Sequence, residues 1–177
     1  AFYGPKIDLH VKDAIGRRWQ LSTIQVDFAQ PDNFDLQFVD SNNKRVKPVM
    51  IHRALLGSIE RFTGILIENY AGEFPGWLSP VQVKVLTIGD VSNYVNKITK
   101  SIKGFRYEVD DRNLRLGEKL HDATKDKVPI TLIVGEKDEL SNTLAINIRS
   151  QDNQQNVKYE DAIKQIKANL KTPIFKI

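Results

Sequence analysis

The 177-residue chain contains no cysteine and only one methionine. Without thiols, no disulfide can form within it and no metal site built wholly of thiolates is possible. This composition is compatible with a cytosolic (cytoplasmic) protein. No apolar run approaches the roughly 20 residues that a membrane-crossing helix needs. No signal or transit peptide pattern is present. The chain also lacks an initiator methionine. Ala1-Phe2-Tyr3-Gly4-Pro5-Lys6 leads straight into dense, patterned sequence, so an internal start within something longer is expected.

What is there is ordinary for a globular protein. Hydrophobic residues make up 41% and charged residues 27%, enough for one large domain or two small ones. The charge is uneven. Residues 1–77 carry nine basic and nine acidic side chains, so the whole net charge of +4 falls in residues 78–177. A basic half fits contact with a polyanion, and a solvated surface explains it equally well.

The stretch that organises the chain runs from Pro48 to Phe62. Val49-Met50-Ile51 follows a proline and reads as a short buried strand. From Arg53 the pattern turns helical, with Leu55, Ile59, Phe62 and Leu66 forming one apolar stripe. Gly57, Arg61 and Gly64 fall opposite that stripe, with Ser58 at its edge. A helical glycine one turn before an arginine costs stability and leaves room beside the guanidinium, as a flat or anionic ligand would need. A solvated arginine beside glycines that merely permit close packing gives the same pattern.

Upstream, Ile7, Leu9 and Val11 alternate with Asp8, His10 and Lys12, a half-buried strand ending in a turn at Asp13-Ala14-Ile15-Gly16. A second strand spans about 17–28. Its apolar positions are odd at Trp19 and Leu21 and even at Ile24, Val26 and Phe28, which requires a bulge near Ser22 or burial of both faces. Gln20, Thr23 and Gln25 then need hydrogen-bond partners, which either backbone groups or a ligand can supply. An Asp- and Asn-rich loop at 32–47 leads to the third strand.

The wording of these segments resembles class II aminoacyl-tRNA synthetases in the form found in the threonyl-tRNA synthetase family. Residues 48–62 resemble the third signature motif. Phe2-Tyr3-Gly4-Pro5-Lys6 and Trp19-Gln20-Leu21-Ser22-Thr23-Ile24-Gln25-Val26-Asp27-Phe28 resemble the strands before it. The resemblance implies ATP (with Mg2+) and threonine as substrates, with Arg61 contacting ATP phosphate and Gly57 and Ser58 at the nucleotide site. It implies Tyr3 at the threonine amino group, Lys6 in the active site, and Gln20, Thr23 and Gln25 lining the adenylate pocket. It also implies His52 as one of three protein ligands of a zinc ion that recognises the amino acid, the other two lying upstream of Ala1. Leu21-Ser22 replaces the Cys-Gly pair common in bacterial members. Taken alone, a single histidine after a strand is more often a core or capping residue. No side chain reads as a general base or nucleophile, so orientation and charge stabilisation would carry the chemistry.

Phe74-Pro75-Gly76-Trp77-Leu78-Ser79-Pro80 breaks the helical pattern, and a domain boundary is expected at 77/78. Beyond it, strands are expected at 81–88, 106–110, 130–135 and 143–148. Helices are expected after Asp90, at 116–125 and around Ala162-Ile163-Ile166-Leu170. This β-α-β-α-β-β-α order predicts a mixed sheet, mostly parallel with one antiparallel pair. There is no glycine-rich phosphate loop, which argues against a nucleotide site here. Ser79-Pro80-Val81-Gln82-Val83, Asp111-Arg112-Asn113 and Val134-Gly135-Glu136-Lys137-Asp138 resemble the anticodon-binding domain shared by several class II synthetases. The resemblance implies a mixed five-stranded α/β domain with Asn113 and Asp138 facing anticodon bases. As residue types, both also suit turns. Asn147 stands where bacterial relatives often carry an arginine.

The expected fold is therefore α/β (α+β). A partial antiparallel synthetase sheet with its helix occupies 1–77, and the anticodon-binding domain 78–177. The expected function is a threonine–tRNA ligase acting on tRNA(Thr), homodimeric at full length. The alternative is a non-catalytic tRNA-binding or regulatory relative.

Overall fold

The computed structural model describes residues 3–173. Ala1 and Phe2, which open the Phe2–Lys6 motif, lie outside the described residues. The chain forms two compact units, Ala1–Ala71 and Gly72–Ile177.

In the first unit, β1 (Lys6–Lys12), β2 (Arg18–Asp27) and β5 (Met50–Ala54) form an antiparallel sheet in the order β1-β2-β5. Between β2 and β5 lie a short helix α1 (Ala29–Asn33) and a two-stranded hairpin, β3 (Phe38–Val39) with β4 (Arg45–Val46). The hairpin and the end of α1 thus occupy the segment expected to be loop. Asp40 closes the hairpin by accepting the N–H groups of Asn42 and Lys44.

The register change expected near Ser22 is present. Leu9 pairs with Ser22, but His10 pairs with Gln20, so Leu21 is the extra residue of a bulge. Side chains alternate along a strand, so one inserted residue brings even and odd positions to the same face. Gln20 therefore joins Thr23 and Gln25 on the face that carries Lys6, Asp8, His10 and, across β5, His52.

The strand-to-helix stretch differs from expectation in three ways. Residues 50–54 remain in strand through Ala54, because all five pair with β2. The helix α2 (Ile59–Tyr70) begins only after Ser58, whose hydroxyl accepts the Arg61 N–H at 3.2 Å. Gly57 thus lies before the helix, not within it. Its φ is +67°, and a Cβ there would stand 3.2 Å from the Leu21 carbonyl oxygen. The glycine lets the chain turn tightly against the bulge. Finally, Val49 and Ile51 are exposed, not buried. Ile51 shares its face with Val26, Ile24 and Ile7, and Ile7 and Ile24 are exposed as well.

The second unit is a five-stranded mixed sheet, ordered β10-β9-β8-β6-β7. The elements are β6 (Val83–Ile88), α3 (Ser92–Ser101), β7 (Tyr107–Asp110), α4 (Leu116–Lys125), β8 (Ile130–Gly135), α5 (Glu136–Ser141), β9 (Thr143–Ile148), β10 (Gln154–Lys158) and α6 (Tyr159–Asn169). β6 runs parallel to both β7 and β8, while β9 is antiparallel to β8 and to β10. There are thus two antiparallel pairs, not the single one expected. The core joins Val83, Val85, Ile130, Leu132, Leu144 and Ile146 of the sheet to Ile98 of α3 and Ile166 of α6, all essentially inaccessible.

Residues 73–80 are not a loose connector. Arg149 donates to the carbonyls of Glu73 and Phe74, and Arg106 to those of Trp77, Ser79 and Pro80. Gln82 donates to Gly76 O at 2.8 Å. Prolines and glycine leave carbonyls without a regular ladder, and two guanidiniums take up that acceptor capacity.

Candidate functional site

In the first unit the bulge assembles a polar surface on one face of the sheet. Asp8 is its hub. Its Oδ1 accepts from Gln20 Nε2 at 2.6 Å and from Thr23 Oγ1 at 2.6 Å, and its Oδ2 lies 3.1 Å from Lys6 Nζ. The Thr23 hydrogen bond chiefly holds the Asp8 carboxyl below its usual range against the opposing effect of burial, with Lys6 assisting. Thus the Asp8 carboxylate takes the amide of Gln20, and Thr23 Oγ1 is shared between that carboxylate and, at 3.4 Å, the backbone carbonyl of Ile7. Gln25 sits across from His52 in register. Tyr3 is placed beside the end of β2, where its carbonyl accepts the Phe28 N–H at 3.0 Å. That approach depends on Gly4, whose Cβ would come within 2.6 Å of Val26 O.

His52 adjoins the same surface. Its Nε2 lies 2.8 Å from Asp27 Oδ2, with Asp27 almost fully buried and the imidazole side chain 42% exposed. Burial pushes the Asp27 carboxyl up, but the N–H of Gln30, His52 and the N–H of Ala29 outweigh it, and it stays below the usual range.

Arg61 is placed apart from this network. Its guanidinium lies 5.7 Å from the centre of the Trp19 ring, and Arg17 lies 5.5 Å from the same centre. Trp19 pairs with Val11 and so points to the face opposite Gln20. The two arginines differ in their partners. Arg17 is neutralised by Asp13 and Glu68, whereas no carboxylate pairs with Arg61 among the described residues.

Asp13 fixes this corner. It accepts the Trp19 indole N–H at 2.8 Å, the Arg17 Nε at 2.5 Å, and the backbone N–H groups of Ile15 and Arg17. Burial alone would raise its pKa, but these donors, led by Trp19, bring it down to about 2. A carboxyl depressed on folding stabilises the fold above its unfolded pKa of about 3.9 and loses that contribution as pH falls through the folded value. Trp19 fluorescence, read in a Trp77→Phe background, should therefore hold steady from pH 5 to about 3 and change near pH 2. In Asp13→Asn that acid step should disappear, with a lower urea midpoint at pH 7. A wild-type transition centred near pH 4 would contradict the assignment.

In the second unit, a cleft of about 760 Å3 opens at the C-terminal ends of β6 and β7. Its walls are the turn after β6 (Ile88, Gly89, Asp90) and the segment between β7 and α4, which holds Arg112, Asn113 and Arg115. The chain leaves β6 for β7 on one side and returns to β8 on the other, and ligand crevices in open α/β sheets form at such points. Asn113 lines this cleft. Asp138 lines a smaller adjoining hollow that shares Ile88 and Gly89. The Asp138 carboxylate also caps α5, accepting Gly135 N–H at 3.0 Å. Asn147 lies elsewhere, beside Thr131 and Arg149.

Sequence reasoning missed Lys119. It is buried on α4, and its ammonium donates to Thr87 O at 2.8 Å and Asp110 O at 3.1 Å, joining the ends of β6 and β7 beneath the cleft. One signal was available: Lys119 falls in line with Ala123, one turn apart, on the buried stripe of α4.

Comparison with known proteins follows the same division. Residues 1–70 match the tRNA synthetase class II core domain (G, H, P, S and T), and residues 82–169 the anticodon binding domain. A threonine–tRNA ligase of Clostridium tetani is 52% identical over 85% of the chain. One of Clostridium acetobutylicum is 46% identical over the whole of it. The chain belongs to the threonyl-tRNA synthetase family. It spans about a quarter of the length of these relatives, 24% and 28% respectively. Among solved structures, the RNA binding domain of threonyl-tRNA synthetase from Cryptosporidium parvum superposes with a TM-score of 0.81 at 31% identity, covering 96% of this chain and 44% of that one. A putative threonyl-tRNA synthetase from Aeropyrum pernix gives 0.60 at 29% identity, covering 96% and 43%. As a member of this synthetase family, the chain thus combines a strand-helix portion of the class II core with an α/β anticodon-binding module.

Proposed function

We propose that this chain is part of a threonine–tRNA ligase. In that reading, residues 1–77 complete the catalytic domain and residues 78–177 bind the anticodon of tRNA(Thr). The reaction would activate threonine with ATP to threonyl-adenylate, releasing pyrophosphate, and then pass the threonyl group to a terminal ribose hydroxyl of the tRNA. The observation that carries the reading is the polar face made by the Leu21 bulge, set within a chain whose relatives are threonine–tRNA ligases. Without the inserted residue, Gln20 would face away from Thr23 and Gln25, and no common surface would exist.

On this surface, Gln20 and Thr23 are held by Asp8 and so are preorganised donors and acceptors for a bound adenylate. Tyr3 and Lys6 stand at the β1 end, where the threonine amino and carboxyl groups would lie. Gly57 and Ser58 shape the turn into α2, and Arg61, which the family resemblance assigns to ATP phosphate, stands by Trp19 on the opposite face of the sheet with no carboxylate partner among the described residues. Rate enhancement then comes from orientation and charge, with no covalent enzyme intermediate.

Zinc fits His52 as a single ligand. Among the described residues no group of three or more His, Cys, Asp or Glu side chains is placed to hold a metal, so the remaining ligands would come from outside them. When bound, zinc would grip the amino and hydroxyl groups of threonine together, and a valine lacking that hydroxyl would be rejected. ATP would bring Mg2+ with it. The full-length enzyme is proposed to be a cytoplasmic homodimer. No helix among the described residues is long and apolar enough to cross a membrane.

The full-length protein should exchange pyrophosphate into ATP with threonine and not with valine at comparable concentration, while serine, which keeps both the amino and hydroxyl groups and lacks only a methyl, should exchange more weakly than threonine. Binding of tRNA(Thr) without any exchange would instead identify the non-catalytic relative.

A further inference from the structure

We propose that Asp27 is a positioning residue for His52, holding the imidazole in the tautomer whose Nδ1 is bare and free to ligate a cation such as zinc. This inference rests on the reading of His52 as a metal ligand and adds a residue to it. Asp27 is the last residue of β2 and 1% exposed. Its two oxygens have different tasks. Oδ1 accepts the backbone N–H groups of Ala29 at 2.8 Å and Gln30 at 2.9 Å, tying down the start of α1. Oδ2 faces His52 Nε2 at 2.8 Å.

The direction of the His52 bond follows from its partner. A carboxylate that takes two backbone N–H groups on one oxygen is an acceptor on the other as well. The proton of that hydrogen bond therefore sits on Nε2 of His52. A neutral imidazole carries one proton, so Nδ1 keeps its lone pair. Nδ1 has no hydrogen-bond partner among the described residues, and the ring is 42% exposed on the polar face. A histidine that donates one ring N–H to a buried carboxylate while presenting the other nitrogen is the arrangement that orients metal-binding imidazoles and raises their basicity. The strand register supports it. Gln25 is paired with His52 and Asp27 with Met50, so the carboxylate reaches His52 diagonally, across the edge of the proposed site.

Asp27→Asn separates orientation from shape. The two backbone N–H groups can bond only to the amide oxygen, which turns the NH2 toward His52. Nε2 then has to accept, and the proton moves to Nδ1. In the full-length protein, zinc affinity, measured by chelator competition, should fall about 10–100-fold. The thermal unfolding of metal-free protein should stay near wild type. His52→Ala should lose zinc altogether. Wild-type zinc affinity in Asp27→Asn alongside zinc loss in His52→Ala would overturn the role of Asp27 while leaving His52 as a ligand. Wild-type zinc affinity in His52→Ala would overturn both.

A second measurement needs neither metal nor a variant. Ring 15N shifts of His52 in the metal-free 177-residue chain should report the Nε2–H tautomer, and an Nδ1–H tautomer there would overturn the proposal directly.

Discussion

Replacing Arg61 by alanine in the full-length protein should lower threonine-dependent pyrophosphate exchange by roughly 100- to 1000-fold, the range typical for removing one preorganised charge-stabilising donor. The expectation comes from the contrast between two guanidiniums beside one indole. Arg17 is held by Asp13 and Glu68 and has its charge spent within the fold. Arg61 leaves the first turn of α2, its backbone N–H tied to Ser58, and rests by Trp19 without an acidic partner among the described residues. A planar cation supported on one side by a ring retains its donor fork for an anion. Lysine at this position keeps the charge and loses the fork and the stacking, so Arg61→Lys should recover only a small part of the activity. Trp19→Leu should fall between the two, chiefly by raising KM for ATP, because it removes the support and keeps the donor. Affinity for tRNA should be unchanged in all three. An Arg61→Ala enzyme with normal exchange would remove Arg61 from the chemistry.

How legible this site was in the sequence depends on which physical signal each part carries. The bulge could be read because β2 changes the parity of its apolar residues between Leu21 and Ile24, and only an inserted residue or two covered faces permit that. The consequence, a shared face for Gln20, Thr23 and Gln25, required the observed pairing of His10 with Gln20. The start of α2 was misread because Leu55 and Ile59 are spaced as a helix would space them. Periodicity cannot see that strand pairing with β2 holds residues 50–54 extended or that Gly57 turns with a positive φ. β10 and α5 were invisible for another reason. Gln154-Gln155-Asn156-Val157-Lys158 has no apolar alternation, and its strand exists because β9 supplies a partner, with a break in register between Gln154 and Val157. Glu136–Ser141 is too short to show a stripe and is held by the Asp138 cap and a left-handed Asn142. Hydrogen bonds between side chains distant in sequence, such as Asp27 with His52, leave no local pattern at all.

Lys119 is the clearest case of a residue whose type conceals its place, and it supports the second large effect. Within Leu116–Lys125 a lysine reads as solvated, yet it is 2% exposed and bonds two carbonyls at the ends of neighbouring parallel strands. Burying an ammonium is costly unless its donors are satisfied, so the bonds to Thr87 O and Asp110 O must be kept for the position to be tolerable. The carboxylate of Asp110, which feels the Lys119 charge, is already engaged bidentately by Arg112, whose hydrogen bonds are the main reason its pKa lies below the usual range. Removing the ammonium therefore takes the Lys119 donor from Thr87 O and leaves Asp110 O only the Thr87 hydroxyl at 3.3 Å, at the point where β6 and β7 diverge to form the cleft. At about 1–3 kcal/mol for a buried group left unpaired, Lys119→Ala should cost the second unit roughly 2–4 kcal/mol once the lost packing of the stem is included. Lys119→Met keeps the stem and should cost about 1–3 kcal/mol, so the difference between the two variants separates packing from hydrogen bonding. Both should weaken binding of the tRNA(Thr) anticodon arm at least tenfold at fixed salt, because the turn bearing Asn113 follows directly from the strand end that Lys119 secures. A methionine variant as stable as wild type, with unaltered RNA affinity, would mean that the cleft is shaped by the loop residues alone.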